Sequence, residues 1–213
     1  MVIAGVNKKI AIQIAGQLRD WTPAEKQFKE IKTLTNADVY LATWTSEYTV
    51  DTSFLTGHSI DEDTVVEYSA YRLANRWKRA NEIRQRTGIE YDSIIMVRPD
   101  AILYESFIEN LSEYFTTGYV RESTIGAVGG LTVSIANEGA HNYFMDDKLL
   151  IGTPLTIDTL SFVGNEMKRR MVSEVNHYNL AQHCLLHNIL GVNSHLFTSL
   201  SKWNKKEYFF GIV

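Results

Sequence analysis

Asp100 is the residue on which chemistry can most directly be built. It stands one proline beyond Asp92–Val97, an apolar run that reads as a buried strand ended by Pro99. In open α/β sheets ligands settle in the crevice beyond the carboxyl ends of the strands, so a carboxylate placed here faces substrate. Such a carboxylate can hold a hard divalent cation, Mn²⁺ or Mg²⁺, with substrate phosphates and water completing the shell. Arg98, on the other side of the proline, can meet a phosphate or lock the aspartate's rotamer in a fork. An Arg98–Asp100 pair that only caps a turn accounts for the same two residues equally well.

Four further groups of residues invite a chemical reading. Gly16, Gln17 and Arg19 form the first strand-to-loop turn, where glycine permits close backbone approach and arginine offers a two-pronged donor for a diphosphate. Neither a G-x-G-x-x-G nor a G-x-x-x-x-G-K pattern is present, so this loop taken alone reads better as a tight turn with a solvated arginine. Asp146 and Asp147 precede a short apolar run, and one of them can orient a hydroxyl; paired acids ahead of a strand are also ordinary turn residues. Arg72, Arg76, Arg79 and Arg86 fall within about 80° of one another on a helical wheel, a face able to receive a polyanion. A charge run of this kind is more often the wet side of a helix, with Asp61, Asp63 and Glu67 at hand to neutralise it. His183 and His187 are spaced i, i+4, with His177 upstream; no acid lies between them, and packing or solvent-facing roles are favoured. Cys184, in the same apolar segment, reads as core.

The elements that position these groups follow from periodicity. Lys9–Ala15 is a buried strand, and Asp38–Trp44 a second. Between them Thr22, Pro23 and Glu25 give the cap, first-turn and capping-box signals of a helix whose apolar face carries Phe28, Ile31 and Leu34. Strand, helix, strand at this spacing is a βαβ unit and predicts a parallel sheet. Residues 46–66 carry no decisive pattern. Ser69–Thr87 is helical, with Ala70, Leu73, Trp77 and Ala80 on one stripe and Gly88 as its stop. A helix near Glu105–Tyr114, a glycine-rich β region through Ile135 and a strand over Lys148–Ile151 follow. Helices near Ile157–Arg170 and Ser173–Leu190 and a last strand at Glu207–Ile212 complete the chain. The reading is a single α/β domain over 1–213, a mostly parallel sheet flanked by helices.

Composition narrows the classes. Of the 213 residues 45% are hydrophobic and 22% charged, which is globular and not disordered. One cysteine excludes a disulfide framework within the chain and a zinc site built on thiolates. No apolar run approaches the roughly 20 residues of a membrane span. Lys8 and Lys9 follow the first apolar stretch, the reverse of a signal peptide, so a soluble, cytoplasmic protein is expected. A net charge of −4 argues mildly against a dedicated nucleic-acid binder.

Four segments together resemble small bacterial and phage glycosyltransferase-like proteins of GT-A type. Ile14–Arg19 resembles the family's small-Gly-Gln-x-Arg block, and Ala37–Trp44 its second-strand block ending in tryptophan. Tyr91–Asp100 is similar to the Tyr-Asp…Arg-Pro-Asp block, and Asp147–Gly152 to the Asp-x…Gly block. They cover roughly residues 9–152 in the expected order. The chain departs from the pattern at Met96, where a second arginine often stands, and in having one aspartate where a full Asp-x-Asp has two. The resemblance implies a Rossmann-like GT-A fold and transfer of a sugar from a nucleotide-sugar donor to an acceptor hydroxyl. It implies Asp100 as metal ligand. Elementary chemistry then assigns the other blocks: a metal at Asp100 and the Arg19 guanidinium share the charge of the leaving diphosphate, and Asp147 aligns the acceptor hydroxyl. Gly16, Gln17 and Trp44 would receive the nucleotide, the last by stacking. The acceptor is a polysaccharide or a modified base in phage DNA, in which case the compartment is the host cytoplasm. A non-catalytic nucleotide- or carbohydrate-binding module is the rival.

Overall fold

The computed structural model describes residues 9–19, 21–44, 47–62, 69–103, 124–127, 131–136, 140–145, 149–169, 177–187, 189–193, 199–203 and 206–209. Strand β1 (Ile10–Ala15) leads to helix α1 (Trp21–Thr35), strand β2 (Asp38–Trp44), a single 3₁₀ turn (Thr52–Phe54) and strand β3 (Gly57–Asp61). Helix α2 (Ser69–Gln85) and strands β4 (Ser93–Val97) and β5 (Ala101–Leu103) follow. Then come β6 (Thr124–Ala127), β7 (Leu131–Ala136), β8 (Ala140–Met145) and β9 (Leu149–Gly152). Three helices, α3 (Pro154–Leu160), α4 (Val163–Arg169) and α5 (His177–Leu186), precede β10 (Leu190–Asn193), β11 (Ser199–Trp203) and β12 (Lys206–Phe209). Among the described residues no helix is long and apolar enough to cross a membrane.

Seven strands form the central sheet in the order β10-β6-β9-β4-β1-β2-β3. β1 pairs in parallel with β2 and with β4, and β2 in parallel with β3, while β9 runs antiparallel to β4 and β6. This is the expected mostly parallel α/β sheet, with one reversed strand. Two antiparallel units stand beside it: the β7–β8 pair, and a sheet ordered β12-β11-β5.

Alternation along β1 sorts the two faces. Ile10, Ile12 and Ile14 point to the α1 side and join Trp21, Ala24, Phe28 and Ile31 of that helix in one apolar cluster. Ala11 and Ala15 point the other way, into a cluster with Trp77 and Ala80 of α2, Ile157 and Leu160 of α3, Met167 of α4 and Cys184 of α5. Gln13 lies between those two alanines and is fully buried. Its amide donates to Asn81 Oδ1 at 2.6 Å and accepts from Arg84 Nε at 2.9 Å. Arg84 in turn pairs with Asp158 of α3, and Gln85 donates to the second oxygen of that carboxylate at 2.9 Å.

Several local expectations are corrected. α1 begins at Trp21, so Thr22 is inside the first turn, where Pro23 costs no hydrogen bond. Leu34 is only half-buried. The undecided stretch 46–66 contains an edge strand, β3. Its first residue must be glycine, because a Cβ there would sit 2.7 Å from Ile83 Cγ2 of α2. The single helix expected near Ile157–Arg170 is two, α3 and α4. Thr153 caps the first by accepting from the Thr156 N–H at 3.3 Å, and Ser161 closes it by donating from Oγ to Asp158 O at 2.7 Å. Thr153–Pro154 is the same dipeptide that stands at Thr22–Pro23. α5 ends at Leu186, four residues short of expectation, because Leu190 belongs to β10, which pairs with β6. The helix expected near Glu105–Tyr114 lies outside the described residues.

Arg84→Ala should destabilise the fold by about 2–3 kcal/mol, since it strips the buried Gln13 oxygen and the half-buried Asp158 of a charged partner. Urea unfolding followed by far-UV circular dichroism measures this. A loss below about 1 kcal/mol would mean that the polar chain is incidental to packing.

Candidate functional site

Topology dictates where a cleft opens. The chain runs outward from β1 through β2 to β3, then returns to place β4 on the other side of β1. β1 and β4 are adjacent and parallel, so the loops that follow them leave the same end of the sheet, the end at which open α/β sheets bind ligands. Register puts the three carboxyl ends together: Ala15 is opposite Ala42, and Ile14 opposite Val97.

At the end of β1, Gly16 has φ +139°, a conformation that suits glycine, and its N–H donates to Ala42 O at 3.1 Å. Leu18 is buried and anchors the loop, leaving Gln17 and Arg19 exposed on either side. Arg19 donates from Nε and Nη2 to Gln17 Oε1 at 3.1 and 2.8 Å. The glutamine thus orients the guanidinium without neutralising it.

At the end of β4, the Ala101 N–H donates to Arg98 O at 3.1 Å and closes a turn into β5. Arg98 forks onto Asp100, Nε to Oδ1 at 2.9 Å and Nη2 to Oδ2 at 2.6 Å. Asp100 is 6% exposed. The two readings open in the sequence meet in one geometry: the fork both closes the turn and fixes the rotamer. A divalent cation at Asp100 would have to compete with the guanidinium for both oxygens. Among the described residues no group of three metal-ligating side chains gathers there.

Trp44, at the end of β2, is half-buried, and the Arg72 guanidinium lies 6.0 Å from its ring centroid. A base stacking on Trp44 would therefore use the opposite ring face or replace Arg72. The helix-face arginines are largely committed within the chain. Arg76 pairs with Asp61 and donates to Thr43 O at 3.2 Å; Arg79 donates to Ser59 Oγ at 3.0 Å and to Glu82 Oε2 at 3.1 Å. Burial pushes the Asp61 carboxyl up, but donation from Ser59 and Arg76 outweighs it and holds the group below the ordinary carboxylate range. Arg86 follows the helix end and is exposed.

The resemblance blocks divide by strand end. At the amino ends Tyr91 Oη donates to Asp38 Oδ2 at 2.7 Å and meets Tyr40 Oη at 2.7 Å. Burial, then the contacts with Tyr40 and Asp38, push the Tyr91 hydroxyl far up, so it stays protonated. Asp92 accepts from the Lys9 N–H at 2.7 Å. These residues hold neighbouring strands in register. Gly16, Gln17, Arg19, Trp44, Arg98 and Asp100 occupy the carboxyl ends. Asp146 and Asp147 lie outside the described residues; Leu149, two residues beyond Asp147, pairs with Val97.

Sequence reasoning missed one cluster. Glu166 of α4 stands with His183 and His187, its carboxylate oxygen 2.5 Å from His183 Nδ1 and 3.2 Å from His187 Nε2. The i, i+4 histidine spacing was the visible half of that signal. Cys184 is core as expected, its thiol pushed up to about 12 by burial.

No family model matches the chain, and no curated protein matches it. Among solved structures, a mannose-1-phosphate geranyltransferase from Thermus thermophilus is 11% identical with a TM-score of 0.42, over 87% of this chain and 68% of that one.

Replacing Arg98 and Asp100 by alanine singly and together should reveal a coupling of about 1–3 kcal/mol in urea unfolding, because each holds the other's charge in the same closed turn. A coupling under about 0.5 kcal/mol would show that the turn stands without the fork.

Proposed function

We propose that the chain is a nucleotide-sugar-dependent glycosyltransferase of GT-A type, with the donor's diphosphate received between the loops that follow β1 and β4. The observation that carries this reading is the convergence of Gly16, Gln17, Arg19, Trp44 and Arg98 at the carboxyl ends of adjacent parallel strands.

Charge accounting assigns the roles. Arg98 is neutralised by Asp100, whereas Arg19 is held by a neutral amide and keeps its full charge. Arg19 is therefore the group that meets the diphosphate, and Gly16 lets the backbone approach it. Asp100 acts as a positioning residue, holding Arg98 at the crevice wall. In the reaction the anomeric carbon–oxygen bond to the diphosphate breaks, its electron pair leaving with the diphosphate. The acceptor hydroxyl oxygen forms the new bond, and Asp147 is assigned to align that hydroxyl and accept its proton. Entry of the chain into β9 opposite Val97 supports that assignment. A phosphate-rich acceptor such as DNA loses its main support, since Arg76 and Arg79 are engaged by Asp61, Ser59 and Glu82.

The rival reading, a nucleotide- or carbohydrate-binding module without turnover, is favoured by one observation: both oxygens of Asp100 are already engaged. Release of nucleoside diphosphate from a matched donor and acceptor separates the two.

Arg19→Ala should weaken binding of the preferred donor, chosen from a panel of UDP-, GDP- and TDP-sugars, by at least about tenfold, with the melting temperature unchanged within about 1 °C. Calorimetric titration reads the affinity. Equal affinity in the two proteins would remove Arg19 from the site, and no binding of any nucleotide sugar by the wild type would end the proposal.

A further inference from the structure

The cluster of Glu166, His183 and His187 lies where α4 crosses α5, outside the β1–β4 crevice. His183 is 1% exposed, and its Nε2 lies 2.8 Å from Thr159 O. A carbonyl oxygen only accepts, so Nε2 carries a hydrogen and donates it. That assignment leaves Nδ1 facing Glu166 Oε2 at 2.5 Å. A bare ring nitrogen and a carboxylate oxygen present lone pairs to each other and repel; a positive charge must lie between them. Either a proton occupies Nδ1, or a cation does.

His187 brings a third donor atom to the same place. Its Nε2 is 3.2 Å from the same carboxylate oxygen, and the two imidazole rings are 4.4 Å apart, centroid to centroid. A proton on Nδ1 satisfies His183, and an N–H of His187 can share Oε2, so hydrogen bonds alone would hold the trio as an ion pair. A metal ion uses all three. The donor atoms lie within 4.8 Å of one another, and among the described residues this is the one place where three such side chains do so.

We propose that Glu166 Oε2, His183 Nδ1 and His187 Nε2 bind a zinc-class divalent ion, with a fourth position open to water. Two imidazoles and one carboxylate are the donor set of three-ligand zinc sites, and the Nε2–H bond to Thr159 O is the outer contact that orients a metal-binding imidazole. Zinc bonds of about 2.0–2.2 Å in a tetrahedron require ligand atoms about 3.3 Å apart; His187 already stands at that spacing from Glu166, and His183 and Glu166 need part by under about 1 Å. Side-chain exposure of 44% at His187 and 21% at Glu166 leaves an entry path. Nitrogen donors select against Mg²⁺, which prefers oxygen ligands.

The test uses the full-length chain without a histidine tag, stripped with chelator and titrated with ZnCl₂. One equivalent should bind and raise the melting temperature, an effect that EDTA reverses, while MgCl₂ leaves the melting temperature unchanged. His187→Ala should keep the metal-free melting temperature, because its ring is exposed, and weaken zinc binding by at least about a hundredfold. Glu166→Gln provides a second variant with the same expected loss. CoCl₂ with the wild type should give visible absorption bands of a four-coordinate site. Zinc uptake that is equal in wild type and both variants, or no uptake and no cobalt spectrum in the wild type, would overturn the proposal and leave a proton-bridged ion pair. Donor binding is read separately, so failure here leaves the crevice reading untouched.

Discussion

A fully buried primary amide in the middle of the central strand sets the terms for one whole side of the molecule. Gln13 brings an amide nitrogen and an amide oxygen into a buried layer, and each needs a partner from the covering helices. Asn81 accepts from its nitrogen and Arg84 donates to its oxygen, but a buried guanidinium creates the next demand, which Asp158 of α3 meets. One polar residue in β1 thus fixes the rotation of α2 and the approach of α3. With α2 so rotated, Trp77 and Ala80 point inward and Ile83 presses on the Gly57 backbone. Arg76 and Arg79 then overhang the β2–β3 edge. The opposite layer has no such device. α1 meets the isoleucines of β1 with apolar residues alone, and there shape does the specifying.

The same distinction between charge and its neutralisation separates the two arginines of the crevice. Both lie just beyond a strand end, and in sequence they are equivalent candidates. Pairing with a carboxylate makes Arg98 part of the wall, because a guanidinium whose charge is matched gains less from a second anion. Pairing with an amide orders Arg19 while leaving its charge available. Order without neutralisation is what preorganised anion binding requires, and it comes from the residue two places earlier in the chain.

The central sheet was legible wherever a strand is buried on both faces. β1, β2, β4 and β9 announce themselves as apolar runs, and the βαβ spacing at the start predicts the parallel pairing that is found. β3 was not legible, because an edge strand of Gly57–Asp61 needs only Ser59 buried and its defining residue is a glycine chosen by Ile83 of another element. Nor was the break between α3 and α4, which depends on Ser161 turning its hydroxyl back onto Asp158 O. Within the candidate site the residue types were readable and their partnerships were not. Nothing in the spacing of Arg98, Pro99 and Asp100 decides whether the carboxylate faces ligand or arginine. Glu166 lies 17 residues from His183 and 21 from His187, so only the crossing of α4 and α5 brings it to them.

Helix α3 connects the two polar systems through consecutive residues. Asp158 closes the chain that begins at Gln13, and the carbonyl of Thr159 takes the His183 Nε2–H. A seven-residue helix has little stability of its own, so these two attachments, one to α2 and one to α5, hold it more than propensity does. Its position also separates the cluster on α5 from the crevice. β9 ends at Gly152 opposite Ile94, near the start of β4, so α3 leaves the sheet at the edge away from Arg98 and Gly16. The histidine–glutamate cluster is thereby anchored to the rigid polar core from the side opposite the proposed donor cleft. An ion bound there would reinforce the scaffold that holds β1 in place without touching the loop that follows β1.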